Sequence, residues 1–108
     1  MGKTDYLQGA LDMLILKTLA LAPNHGWAIQ QRIRQVSGDA LSVSQGSLYP
    51  ALHRLETAGM LKSEMQPSED NRSARVYRLT PAGRKRLNEE SEDWHTFALA
   101  IRRLLQMS

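Results

Sequence analysis

Apolar residues switch from a helical period to a short strand-like alternation and back to a helical period, and that order restricts the folds open to the chain. Leu7, Leu11, Leu14, Ile15, Thr18 and Leu19 recur at helical spacing. Met13, Leu16 and Ala20 add apolar surface on a second side, so this helix is expected to be buried on more than one face. Thr4 or Asp5 stands where its N-cap is expected, and Pro23-Asn24-His25-Gly26 reads as the turn that ends it. A second helix is expected over 27–36, with Ile29, Ile33 and Val36 on one stripe and Gln30, Gln31, Arg32 and Arg34 facing water. Ser37-Gly38-Asp39 stops it.

A third helix lies within 44–58. Leu48, Leu52 and Leu55 form its seam, Ala51 and Ala58 fill it, and Gly59 is placed to cap its end. Pro50 would cost about 3 kcal/mol deep in a helix, which favours a start near Ser47. Residues 60–65 and 73–79 then alternate, separated by turn formers at 66–72, which predicts a β-hairpin. Val76 beside Tyr77 leaves the facing of its second strand open. Thr80 and Pro81 open a last helix reaching toward Met107. Along it Leu87, Trp94 and Ile101 repeat every seven residues, with Phe97 or Ala98 and Leu104 or Leu105 between them, a coiled-coil-like pattern.

Three helices and a hairpin make the layout of a winged helix-turn-helix. The expected fold class is mostly α with a two-stranded β-hairpin, followed by a long C-terminal helix. Residues 1–80 would form a DNA-binding domain and 81–108 the last helix, together one compact unit. The third helix buries its leucines and turns Gln45, Ser47, Tyr49, His53 and Arg54 outward, side chains suited to base edges and phosphates. The hairpin loop brings Arg72 and Arg75 within reach of an adjacent groove or phosphates. Basic residues cluster between Arg54 and Arg86, and acids follow at Glu89, Glu90, Glu92 and Asp93.

The 108 residues hold one domain, and a net charge of +3 is only a weak pointer to nucleic acid. No cysteine is present, which excludes disulfides, thiolate metal sites and a cysteine nucleophile. His25, His53 and His95 are too dispersed to suggest a metal site, so no metal or cofactor is expected. His25 is expected to cap or pack at its turn. No nucleophile elbow, phosphate loop or carboxylate pair supports catalysis. The start lacks a secretory leader and the longest apolar stretch is too short to cross a bilayer, so a cytoplasmic protein without membrane association is expected.

The chain resembles the PadR-like transcriptional regulators. The resemblance rests on His25-Gly26-Trp27, on Gly46-Ser47-Leu48-Tyr49-Pro50-Ala51-Leu52-His53-Arg54-Leu55-Glu56 with Gly59 following, and on Tyr77-Arg78-Leu79-Thr80 with Gly83. It extends over nearly the whole chain and matches a short form with a single C-terminal dimerisation helix. The resemblance implies a homodimeric, sequence-specific DNA-binding regulator, typically a repressor on an inverted-repeat operator. In some members a small aromatic or drug-like compound releases the DNA. By this resemblance Ser47, Tyr49, His53 and Arg54 match DNA-facing positions, and Arg72 and Arg75 match the wing tip. Trp94 matches a position that in some members lies at the dimer interface beside an effector cavity. The dimer interface is accordingly assigned to Leu11, Leu14, Leu87, Trp94, Phe97, Ile101, Leu104 and Leu105. The wing here, Glu69-Asp70-Asn71-Arg72-Ser73-Ala74-Arg75, is less basic than is common in the family. An effector site would have to be built from the dimer interface.

Two other readings use the same features. A winged helix can dock proteins without binding specific DNA, its last helix meeting a different partner. The interface around Trp94 can equally make a small-molecule binding protein, which merges with the first reading if the ligand alters DNA affinity.

Overall fold

The computed structural model describes the backbone of residues 3–67 and 73–107 and the side chains of 9–67 and 74–107. Its elements are α1 (Lys3–Leu21), β1 (Asn24–His25), α2 (Gly26–Val36), α3 (Gln45–Thr57), β2 (Leu61–Pro67), β3 (Ser73–Leu79) and α4 (Pro81–Leu105). The fold is the expected one, mostly helical with an antiparallel hairpin, but the sheet has a third strand in the order β1-β3-β2. Asn24 and His25, expected only as a turn, pair with Tyr77 and Val76. A two-residue strand carries no alternation to read, because its pairing is decided by the distant β3. Helix α1 already runs from Lys3, so Thr4 and Asp5 lie inside it rather than capping it.

Local chemistry sets the helix ends. The Ser44 side chain accepts the Ser47 N–H and caps α3, so the helix starts at Gln45 and not at the expected Ser47. Pro50 therefore sits inside the helix. The carbonyl it leaves without a helical donor belongs to Gly46, which is exposed and open to water. At the other end Gly59 adopts φ 81°, a backbone conformation that a Cβ would strain. The Met60 N–H then reaches the Leu55 carbonyl at 2.9 Å and the Gly59 N–H reaches Glu56 at 3.0 Å, so the last carbonyls of α3 are satisfied. Thr80 accepts the Gly83 N–H at 3.0 Å and Pro81 occupies the first turn of α4, as expected.

The core joins Ile15, Leu16 and Leu19 of α1 to Ile29 and Ile33 of α2, to Leu48, Ala51, Leu52 and Leu55 of α3, and to Leu61 and Tyr77 of the sheet. Ile15, Leu16, Ile29, Leu48 and Leu52 are fully buried, each worth about 1.5–3 kcal/mol of transfer free energy. Helix α1 is thus buried on two sides, while Val36 at the end of the α2 stripe is exposed. Val76 and Tyr77 are both buried although they point to opposite faces of β3. Tyr77 joins the core, and Val76 is flanked by its cross-strand partners His25 and Glu64.

Leu87 also belongs to this core, at 5% exposure, which corrects its assignment to a dimer interface. The N-terminal part of α4 packs on the domain through α1 and β3. Beyond it the helix projects, giving extents of 59 × 28 × 25 Å. From Ser91 onward every described α4 residue is exposed except Trp94, which is half-buried.

Candidate nucleic-acid interface

At 3.6 residues per turn, Gly46, Pro50, His53 and Thr57 lie opposite the buried leucines of α3, and all four are exposed. Tyr49 flanks that line with Gln45 and Glu56 on one side, and Ser47 and Arg54 flank it on the other. The outermost line is short of side-chain bulk at its N-terminal end, which the sequence reading did not single out. A helix of this shape lets its backbone come close to a surface while longer side chains reach past it. Gln45, Ser47, Tyr49 and His53 are all exposed, as an outward role requires.

Neighbouring contacts hold this face in place. The Ser44 hydroxyl donates to Ser47 Oγ at 3.2 Å, so Ser47 is drawn into the cap of its own helix. Gln30 Nε2 donates to the Val43 carbonyl at 2.6 Å and ties α2 to the loop before α3. The Tyr49 ring lies against Gly26, the first residue of α2. His25 precedes it and packs as expected, its ring stacked parallel to that of Trp27 at 6.5 Å, but its side chain does not cap α2.

Arg54 departs from its expected role. Its Nη1 and Nη2 donate to the two carboxylate oxygens of Asp12 at 2.7 and 2.8 Å, linking α3 to α1. This two-pronged geometry is the strongest form an Arg–carboxylate pair takes. The carboxylate raises the already high guanidinium pKa by hydrogen bonding, against an opposing effect of burial. Arg54 is a structural bridge here rather than a free outward cation. The signal was an acidic residue, Asp12, on an otherwise apolar part of α1.

Arg72 lies outside the described residues. Arg75 is exposed on β3 and donates from Nη1 to Ser63 Oγ at 2.9 Å. Ser63 in turn donates to the Glu56 carboxylate at 2.5 Å. The chain Arg75–Ser63–Glu56 therefore fixes the wing against α3. Tyr77 stands beside it, its pKa raised chiefly by burial, next by the Glu56 charge, with Arg75 opposing. On the other face of the hairpin Arg78 pairs with Glu64 at 3.1 Å.

The second exposed surface is apolar. Trp94, Ala98, Ile101 and Leu105 follow one line of α4, with Phe97 and Leu104 beside it. Leu105, Leu104 and Ile101 are 80%, 69% and 39% exposed. Trp94 meets Phe97 edge to face at 5.6 Å and the two open onto a shallow groove. Leu11 and Leu14 of α1, expected at the same interface, are half-buried and pack against the core of their own chain. Among the described residues no cluster of His, Asp and Glu could hold a metal ion, and no helix is long and apolar enough to cross a membrane.

Residues 15–89 match the family model described as the transcriptional regulator PadR-like family. Over 87 residues the chain is 44% identical to the transcriptional regulator Rv3488 of Mycobacterium tuberculosis, covering 80% of this chain and 77% of that protein. The fold is similar to a transcriptional regulator from Clostridium thermocellum, with a TM-score of 0.84 and 27% identity over 98% of this chain and 100% of the other. A regulator from Thermoplasma acidophilum gives a TM-score of 0.82 at 29% identity, covering 96% of this chain and 98% of that one.

Proposed function

The chain belongs to the PadR-like family of transcriptional regulators, and from that premise we propose that it acts in the cytoplasm as a homodimeric repressor. Its α3 faces enter successive major grooves of an inverted-repeat operator. The observation that carries the reading is the exposed polar face of α3, with Gln45, Tyr49 and His53 displayed on a helix braced from behind by leucines and at its start by Ser44. Such a face offers an amide, a phenol and an imidazole to base edges, and the hydroxyl of Ser47 to phosphate or base. Arg75, and Arg72 on the far side of Ser73 and Ala74 in sequence, would approach the flanking backbone from the wing.

Dimerisation is supported by the apolar line from Trp94 to Leu105, too continuous to be left in water on a projecting helix. A two-fold axis through paired α4 helices would repeat α3 about one helical turn away along the duplex. The aromatic corner of Trp94 and Phe97 offers a planar compound a stacking surface at that interface, a route by which an effector would alter DNA affinity. Quenching of Trp94 fluorescence, with Trp94→Phe as control for Trp27, screens for such compounds.

Selection of bound duplexes from a random pool tests the reading. The expected product is a palindrome with half-sites about one turn apart, near 34 Å. A purified protein that enriches nothing and shifts no duplex at low ionic strength would overturn it.

A further inference from the structure

We propose that Asp12 is a specificity-determining residue, which holds the single arginine of α3 away from the DNA backbone and so lowers affinity for duplexes of arbitrary sequence. The inference rests on the reading that α3 faces DNA.

Arg54 is the lone Lys or Arg in α3, and it sits on a flank of the exposed face. A cation there would gain phosphate contact on any duplex, which adds affinity without sequence information. Instead both of its Nη atoms are engaged by Asp12. The two side chains differ in burial. Arg54 is 40% exposed, so its guanidinium lies at the surface of the helix, whereas Asp12 is only 10% exposed. Releasing Arg54 to a phosphate would take from the largely buried Asp12 carboxylate the cation that the structure pairs with it, at a cost. The phosphate must therefore compete with a better-placed anion on the protein's own α1. The clamp stays closed on DNA, and selection is left to Gln45, Tyr49 and His53.

The one acid on α3 does not substitute for Asp12. Glu56 is engaged by Ser63 and turned toward the wing. Asp12 is the carboxylate that the structure pairs with Arg54.

The test uses the full-length protein and a fluorescent duplex of scrambled sequence, titrated by anisotropy across a salt series. Wild type, Asp12→Asn and the charge-balanced Asp12→Asn/Arg54→Gln are compared, with circular dichroism melts to establish folding. Asp12→Asn keeps the size of the side chain and removes the anion. It is expected to bind the scrambled duplex about tenfold more tightly at low salt. Its log–log salt slope should steepen by about 0.9 for each phosphate newly engaged. The double variant is expected to return to the wild-type slope. A folded Asp12→Asn protein with the wild-type slope would overturn the proposal. So would a double variant with a shallower slope than wild type, since Arg54 would then already be on a phosphate. If Asp12→Asn does not fold, the double variant alone decides, its wild-type slope supporting the clamp. Failure of all three proteins to bind any duplex would overturn the DNA reading itself, a result distinct from either slope outcome.

Discussion

The Tyr49 ring lies so close over Gly26 that a methyl group there would meet Cε1 at 2.7 Å and the hydroxyl at 2.9 Å. The first residue of α2 thus sets the direction of a side chain on the exposed face of α3. Gly26→Ala is expected to push the ring aside at little cost, since the clash is with the far end of a side chain that can rotate. Melting should change by less than about 1 kcal/mol equivalent, while operator affinity falls roughly tenfold. Parallel thermal melts and anisotropy titrations check both halves of that split.

Gly83 behaves in the opposite way. A Cβ there would run into the Met60 carbonyl and meet Leu79 Cδ1 at 2.7 Å. Backbone cannot rotate away, so Gly83→Ala must separate α4 from the turn at Met60 between α3 and β2. A loss of about 2–3 kcal/mol is expected in urea denaturation, in line with overpacking at a close contact.

Tyr77 supplies a pH dependence with a definite sign. Its phenol is held above the ordinary value of 10.0 in the folded protein, mainly because it is buried and faces Glu56. The folded state therefore favours the neutral form. This contribution is fully present below pH 10.0, where the unfolded phenol is also protonated, and is lost as pH rises through the folded value. Tyr77→Phe should melt within about 1 kcal/mol of wild type at neutral pH and lose less stability above pH 10. Denaturation midpoints of the two proteins across an alkaline series make the comparison.

Two leucine-stripe positions of α4 separate folding from assembly. Ile101 is exposed and Leu87 is 5% exposed in the core. Ile101→Asp is expected to yield a folded monomer by analytical ultracentrifugation. Leu87→Ala should instead destabilise the chain by about 2–4 kcal/mol.

Those two positions also mark how far the sequence is legible. The seven-residue recurrence at Leu87, Trp94 and Ile101 identifies the apolar line but not what covers each part of it. Caps are readable because their chemistry is local: Thr80 with Pro81 and the turn at Gly59 fall where the residues require. The short strand at Asn24–His25 is not readable, because its partners lie on β3. Pro50 misleads for a related reason. Its helix penalty is tolerable where the orphaned carbonyl is solvated, and the Ser44 cap then fixes the start of α3. Of the outward residues, Gln45, Ser47, Tyr49 and His53 follow from helical geometry alone. Arg54 does not, since its partner Asp12 is 42 residues away in sequence.

The Gln45–Tyr49–His53 side of α3 is expected to enter the major groove. A duplex carrying 5-iododeoxyuridine in place of thymidine puts a photoreactive group on the floor of that groove. Irradiation of the complex followed by mass spectrometry is expected to yield a crosslinked peptide from α3, with Tyr49 or His53 as the modified residue. Crosslinks confined to α4 or α1, from a protein that binds the duplex, would contradict the account.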